Sequence, residues 1–279
     1  MYKYINNIVW YLTQGAQKQS YLGAKWVLVL LKLTPVSLKR RMALIILSLS
    51  PHYFFRYADE RYDEMPYFSY LESEFTRNKT SRKFLFENIL KNELICEAVV
   101  IDYGCGAGFL AKAVAPHVKK VFAVDVSMGV LSCAKILNES KNIHYIHTSN
   151  VRNITDGSVD LVYSFAVIQH VDEITFQEIL TNISMKLKAG GRAIIHIVLS
   201  EPGWRSETEW RSDDTIQGRL KINFGLHCFS REEEGVKREL ERRGFQDILI
   251  SKVSDRYVNI NGDLAHQHVI FAARSAVCE

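Results

Sequence analysis

The first 58 residues contain no aspartate or glutamate. Eight cations stand there instead: Lys3, Lys18, Lys25, Lys32, Lys39, Arg40, Arg41 and Arg56, and the first acid is Asp59. The formal net charge of +4 therefore hides a division, with a basic N-terminal fifth and a net acidic remainder. Also missing is any apolar run of the ~20 residues needed to cross a bilayer. Residues 26–31 (WVLVLL) and 42–49 (MALIILSL) are shorter, and Lys32, Pro35 and the Lys39, Arg40, Arg41 cluster separate them. No transmembrane span is expected on this reading. Neither run lies near the start or ends in a small-residue cleavage pattern, so no secretory signal is expected.

The five cysteines, Cys96, Cys105, Cys133, Cys228 and Cys278, are odd in number and nowhere closely spaced. That argues against a metal knuckle or redox pair and for reduced thiols in a cytoplasmic protein. No acid or histidine cluster has metal-ligand spacing, so no metal is expected. Internal repeats and low-complexity tracts are absent as well. What is present is a chain of 279 residues, 47% hydrophobic and 24% charged, with enough apolar material for one large domain with extra elements.

From about residue 81 helix and strand patterns alternate. Residues 81–92 predict a helix, with Phe84, Leu85, Ile89 and Leu90 at helical spacing. Residues 98–103 (AVVIDY) read as a strand buried on both faces, 108–115 as a helix, 121–125 as a second strand and 128–138 as a helix. Strands are predicted at 143–147, 159–165 and, after a turn at Gly190 and Gly191, at 192–199, with a helix at 173–187 before the last of these. A charged helix at 231–243 leads to strands at 245–253 and 267–274. The first five strands are joined by helices or long loops, which predicts parallel pairing. The last two are separated by about 13 residues without a helical pattern, which predicts that the final strand runs against the others. The expected fold is α/β, doubly wound, with a seven-stranded, mostly parallel sheet. It has an antiparallel last strand, an N-terminal helical extension (1–80), a main domain (81–279) and a lid insertion (200–228).

The most informative segment is VVIDYGCGAG at 99–108. A buried strand ends in Asp102, and Gly104, Gly106 and Gly108 line a turn into a helix. Ligands of open parallel sheets bind outside the carboxyl ends of the strands, where glycine lets the backbone come close. A dinucleotide fingerprint would place its third glycine at Phe109, so the spacing departs from that pattern. The segment resembles motif I of the class I S-adenosylmethionine-dependent methyltransferases, which have a Rossmann-like fold. Residues 156–171 (DGSVDLVYSFAVIQHV), 187–198 (LKAGGRAIIHIV) and 229–245 (FSREEEGVKRELERRGF) resemble later segments of the same family in the same order. The resemblance covers about residues 81–199 and 229–274.

The resemblance implies a transferase that takes S-adenosyl-L-methionine as cofactor. It implies contacts at Asp102, Gly104, Cys105, Gly106, Gly108, Asp125, Val126, Met128, Asn150, Val151 and Ser164. Asp102 and Gly104 would hold the aminoacyl end, and an acid there suits a cationic ammonium and sulfonium. Asp125 ends the second strand and would accept from the ribose hydroxyls, with Val126 and Met128 covering the adenine. Asn150 stands where the family usually has an acid, and its carbonyl can accept from the adenine amino group.

Among the histidines, His170 follows the fourth strand and is the candidate general base. His196 reads as a buried, hydrogen-bonded strand residue, His227 as a residue that could face the pocket, and His266 and His268 as flanking the last strand. Tyr62, Tyr67, Phe68, Trp204 and Trp210 are candidates to line the substrate pocket. The expected acceptor is an O or N atom of a small molecule, sugar-containing or lipid-linked. A non-catalytic cofactor-binding partner subunit is the alternative. A nucleic-acid methyltransferase is disfavoured, because Ser164, Phe165, Ala166 and Val167 stand where an Asn/Asp-Pro-Pro-aromatic signature would be.

Lys18, Lys25, Lys32 and Lys39 recur every seven residues, opposite Trp26, Leu30 and Leu33, in a pattern that Pro35 interrupts. Such a helix either lies on anionic lipid or packs on the main domain. Packing is expected for the bulk of residues 1–58, with residual salt-sensitive peripheral contact with an anionic membrane through Lys39, Arg40 and Arg41. The oligomeric state is not legible.

Overall fold

The structure, a computed structural model, describes residues 21–48, 65–200, 204–223, 227–252 and 268–275. Lys3, Lys18, Arg56, Tyr62, His266 and Cys278 lie outside the described residues. Among these residues the strands are β1 (Val99–Tyr103), β2 (Lys120–Asp125), β3 (Ile143–His147), β4 (Val159–Ser164), β5 (Leu187–Val198), β6 (Phe245–Lys252) and β7 (His268–Ser275). They form one sheet in the order β3-β2-β1-β4-β5-β7-β6. The first five pair in parallel, and β7 is inserted antiparallel between β5 and β6, as the short helix-free connection predicts.

The helices are α1 (Tyr21–Leu33), α2 (Val36–Ser48), α3 (Tyr67–Leu85), α4 (Phe109–Val114), α5 (Met128–Leu137), α6 (Glu173–Lys186), α7 (Glu207–Arg211), α8 (Ile216–Asn223) and α9 (Glu233–Glu241). Both faces of the sheet are covered, which is why its strands read as continuous apolar runs. Ile101 and Val162 join the core under α6 and α9 with Phe176, Leu180 and Leu240. Val100 and Tyr163 join the opposite core with Leu110 and Val114 of α4 and with Leu85 and Phe86. A third cluster, Leu31, Ala43, Leu47 and Cys133, packs α1 and α2 onto α5.

Two predicted elements are corrected. The helix expected from residue 81 begins at Tyr67 and passes through Leu85 into a wider π turn, Phe86–Leu90. The expected division after residue 80 thus falls inside α3. Its first turns bury Tyr70, Leu71 and Glu74, and the buried glutamate interrupts the apolar spacing that would announce them. The strand expected from residue 192 begins at Leu187. Gly190 and Gly191 lie inside it, where the register with β4 shifts between Val159 and Leu161. Among the described residues no helix is long and apolar enough to cross a membrane.

Candidate functional site

The chain leaves β1, runs outward through β2 and β3, and returns to the other side of β1 as β4. The order reverses between β1 and β4, and a crevice opens at their carboxyl ends, where ligands of this architecture bind. Three glycines carry the backbone across it: Gly104 at φ 81°, Gly106 at φ 52° and Gly108 at φ 77°. Their surroundings differ. A Cβ on Gly104 would fall 2.1 Å from Cγ2 of Val167, and one on Gly108 would fall 2.4 Å from the Tyr145 hydroxyl. A Cβ on Gly106 would meet no atom within 4 Å. Gly104 and Gly108 are therefore held by packing, and Gly106 turns an open face to the crevice.

The loop is braced from β2 and α5. The Gly104 and Cys105 N–H groups donate to the Val124 carbonyl at 2.8 and 2.9 Å. Asp125 accepts from the N–H of Gly106 through Oδ2 and from that of Ser127 through Oδ1, both at 2.9 Å. The Asn138 amide donates to the Ala107 carbonyl at 2.7 Å, and the Tyr145 hydroxyl to the Asn138 carbonyl at 2.9 Å. Beside Asp125, Val126 and Met128 are exposed and offer apolar surface.

Asp102 lies beneath this loop with 2% of its surface exposed. Its Oδ2 has no hydrogen-bond partner among the described residues. Burial raises its pKa to about 8, Arg82 opposes the rise, and Asp125 adds to it. A buried carboxyl held this way costs free energy until a cation or donor meets it. Burial also raises the Cys105 thiol well above its ordinary range, so it stays protonated beside Gly106.

On the β4 side the chain strains as it leaves the sheet. Ala166 adopts φ 59°, unusual for a residue with a Cβ, and its N–H donates to Nδ1 of the buried His196 at 3.2 Å. The turn that follows is clamped by Arg231. Its guanidinium donates to the carbonyls of Ile168 and Val171, both at 2.8 Å, and lies 4.5 Å over the Phe176 ring. His170 emerges from this turn with Nδ1 2.7 Å from the His227 carbonyl. A carbonyl only accepts, so Nδ1 carries the proton and the lone pair of the neutral ring is on Nε2.

His227 is buried, and its ring lies between those of His170 (6.1 Å) and Trp210 (6.2 Å). Its Nε2 has no hydrogen-bond partner among the described residues, and burial lowers its pKa. Beyond it, the inserted helices α7 and α8 border a half-open cavity of about 420 Å³. Trp204, Arg205, Trp210, Asp213, Lys221 and Cys228 are among its walls. The Trp210 indole donates to the Cys228 carbonyl at 2.9 Å, and Arg205 lies 5.1 Å over its ring.

Residues 101–195 match the family described as methyltransferase domain. About a third of the chain is thus similar to a methyltransferase domain. The ubiquinone biosynthesis O-methyltransferase of Rickettsia typhi is 28% identical over 106 residues, which are 37% of this chain and 42% of that one. The protein of the same name from Coxiella burnetii is 30% identical over 97 residues, 33% of this chain and 40% of that one. The chain thus spans under half the length of these relatives. Among solved structures, Haemonchus contortus phosphoethanolamine N-methyltransferase 2 in complex with S-adenosyl-L-methionine superposes with a TM-score of 0.51. The identity is 18%, over 71% of this chain and 56% of that one. The [4+2]-cyclase SpnF superposes equally well, at 0.51 and 18% identity, over 72% of this chain and 82% of that one. At these identities the likeness is one of fold.

The crevice brings together Asp102, Gly104, Cys105, Gly106, Gly108, Asp125, Val126 and Met128. Asn150 is exposed on the turn after β3. The Val151 side chain lies in the core at 2% exposure, which leaves its backbone as the part that can reach a ligand. Ser164 is fully buried, and its hydroxyl has no partner among the described residues. Trp204 and Trp210 line the lid cavity, and Phe68 is exposed on α3. The side chains of Tyr67 and His268 lie outside the description. Asn138, Tyr145, Val167 and Arg231 shape the site without having been singled out from sequence. Their roles rest on contacts far along the chain, and no local spacing signals them.

Asp125→Ala should weaken cofactor binding by about 1–3 kcal/mol, since it removes a charged acceptor and unpins the Gly106 N–H. Calorimetric titration of the variant measures this. Unchanged affinity would show that Asp125 braces the loop without touching the ligand.

Proposed function

We propose that the chain transfers a methyl group to an O or N atom of a small molecule, sugar-containing or lipid-linked, with a hydroxyl oxygen the acceptor best supported. The observation that carries this reading is the oriented His170, set at the β4 end of a crevice whose β1 end holds the buried Asp102, its Oδ2 without a hydrogen-bond partner among the described residues. When bound, S-adenosylmethionine supplies an electrophilic methyl on a sulfonium. Asp102 would take its ammonium, Asp125 its ribose hydroxyls, and Val126 and Met128 the adenine faces. Gly106, open to the crevice, leaves room for the body of the molecule.

An amine that is already neutral attacks without help, whereas a hydroxyl must lose a proton as it attacks. With Nδ1 committed to the His227 carbonyl, His170 would accept that proton at Nε2. The lid, with Trp204 and Trp210, would hold the acceptor and keep water away. Alignment of this kind supplies ~7–11 kcal/mol of barrier reduction in favourable cases. The curated relatives named O-methyltransferases support oxygen as the acceptor atom.

The test is label transfer from methyl-labelled S-adenosylmethionine to a panel of phenols, sugar alcohols and amines. Label should pass to a hydroxyl acceptor. His170→Ala should lower kcat about 10²–10⁴-fold with little change in cofactor affinity. Tight cofactor binding with no transfer to any acceptor would point instead to a cofactor-binding partner subunit.

A further inference from the structure

The helices α1 and α2 are fastened to the main domain, yet they leave a large apolar surface outside. Leu31, Ala43 and Leu47 are buried with Cys133 of α5, Val27 packs near Gly129, and Arg40 pairs with Glu72 of α3 at 2.5 Å. With that face committed, Leu28, Val29, Leu30, Leu33, Val36 and Leu38 remain exposed. Leu33 (76%) and Val36 (84%) flank Pro35 at the bend, where the Thr34 N–H and hydroxyl both donate to the Leu30 carbonyl and end α1. Scattered exposed leucines need no explanation, but six such side chains within eleven residues make a patch. Lys32 and Arg41 are exposed beside it and Lys39 is half-exposed, in a segment without a single acid over residues 1–58.

We propose that the α1–α2 bend docks on the surface of an anionic lipid bilayer. Leu33, Val36 and Leu38 would enter the boundary between headgroups and acyl chains, and Lys32, Lys39 and Arg41 would meet the headgroup charge. The charge pattern selects this occupant. A second copy meeting the same patch about a two-fold axis would set cations against cations, whereas an anionic surface neutralises them. An apolar tip ringed by basic residues is also the arrangement by which amphipathic helices lie in a membrane interface. The inference does not rest on methyl transfer.

The test is co-sedimentation of the full chain with vesicles of phosphatidylglycerol and phosphatidylcholine, and with phosphatidylcholine alone. The protein should pellet with the anionic vesicles, stay in solution with the neutral ones, and be released as salt is raised. Leu33→Asp with Val36→Asp should lower the bound fraction about ten-fold or more. Both positions face solvent, so melting temperature and S-adenosylmethionine affinity should be unchanged, which separates this result from any failure of the methyltransferase reading. No pelleting with anionic vesicles, or equal pelleting of the double variant, overturns the proposal. So does a light-scattering shift from dimer to monomer in the variant without vesicle binding by the parent, which would make the patch a contact between copies.

Discussion

Gly106→Ala is expected to fold and to lose most of its affinity for S-adenosylmethionine. The new methyl meets no protein atom within 4 Å, so nothing in the core must move. The backbone at φ 52° costs an alanine about 1–2 kcal/mol, which lowers the melting temperature by a few degrees. That methyl stands in open space on the loop, where the proposed cofactor would pass. Overlap of this kind costs about 1–3 kcal/mol, or roughly a 5- to 150-fold loss of affinity. Gly104→Ala makes the contrast, because its Cβ would fall within the Val167 side chain and strike stability first. Calorimetry and thermal melts on the two variants separate these effects. Parental affinity in a folded Gly106→Ala protein would mean that the cofactor does not cross this turn.

Asp102→Asn should do two opposite things. The native carboxyl has its pKa raised from the ordinary range near 4 to about 8, chiefly by burial, with Asp125 raising it further and Arg82 opposing. For an acid raised on folding, the stability it contributes is intact below the unfolded value and is lost as pH climbs through the folded one. The free protein should therefore weaken between about pH 4 and pH 8, by at most ~1.4 kcal/mol per unit. Asparagine fills the same space without the charge, so the variant should melt higher than the parent at pH 8 and lose this slope. Its affinity for S-adenosylmethionine should fall by about 2–5 kcal/mol, since the cofactor's ammonium meets no counter-charge. Thermal melts across this range, with titrations at pH 8, check both halves. A variant no more stable than the parent at pH 8, or one with undiminished affinity, would remove Asp102 from the account.

The cofactor half of the site was legible because its parts are neighbours in sequence. A strand, an acid, three glycines and a helix follow one another within 99–114, and Asp125 closes the next strand. The sheet was legible for the same reason, its seven strands being short apolar runs between turns. Contacts between distant segments were not. Arg231 reads as one charge in a charged helix, yet it is buried because the turn after β4 offers it two carbonyls. His170 could be suspected from its place after β4, but its tautomer depends on a carbonyl 57 residues away. The first turns of α3 bury Tyr70 and Leu71 but also Glu74, whose charge breaks the apolar spacing, and their helix was missed. Gly190 and Gly191 do mark a local kink, Gly190 at φ 74°, but it lies within β5, where the register with β4 shifts and the strand continues on both sides.

The central claim, that the crevice over Asp102 and Gly106 is an S-adenosylmethionine site, is tested most directly by calorimetric titration of the parent protein. The ligands are S-adenosylmethionine, S-adenosylhomocysteine and a nicotinamide dinucleotide, each at about pH 6 and pH 8. Asp102 must give up its proton to meet the ammonium, so S-adenosylmethionine affinity should rise with pH, by up to about ten-fold per unit, and level off near pH 8. The homocysteine product should bind with the same trend, and the dinucleotide should not bind. Binding of the dinucleotide alone, or S-adenosylmethionine affinity that does not change between the two pH values, would contradict the account.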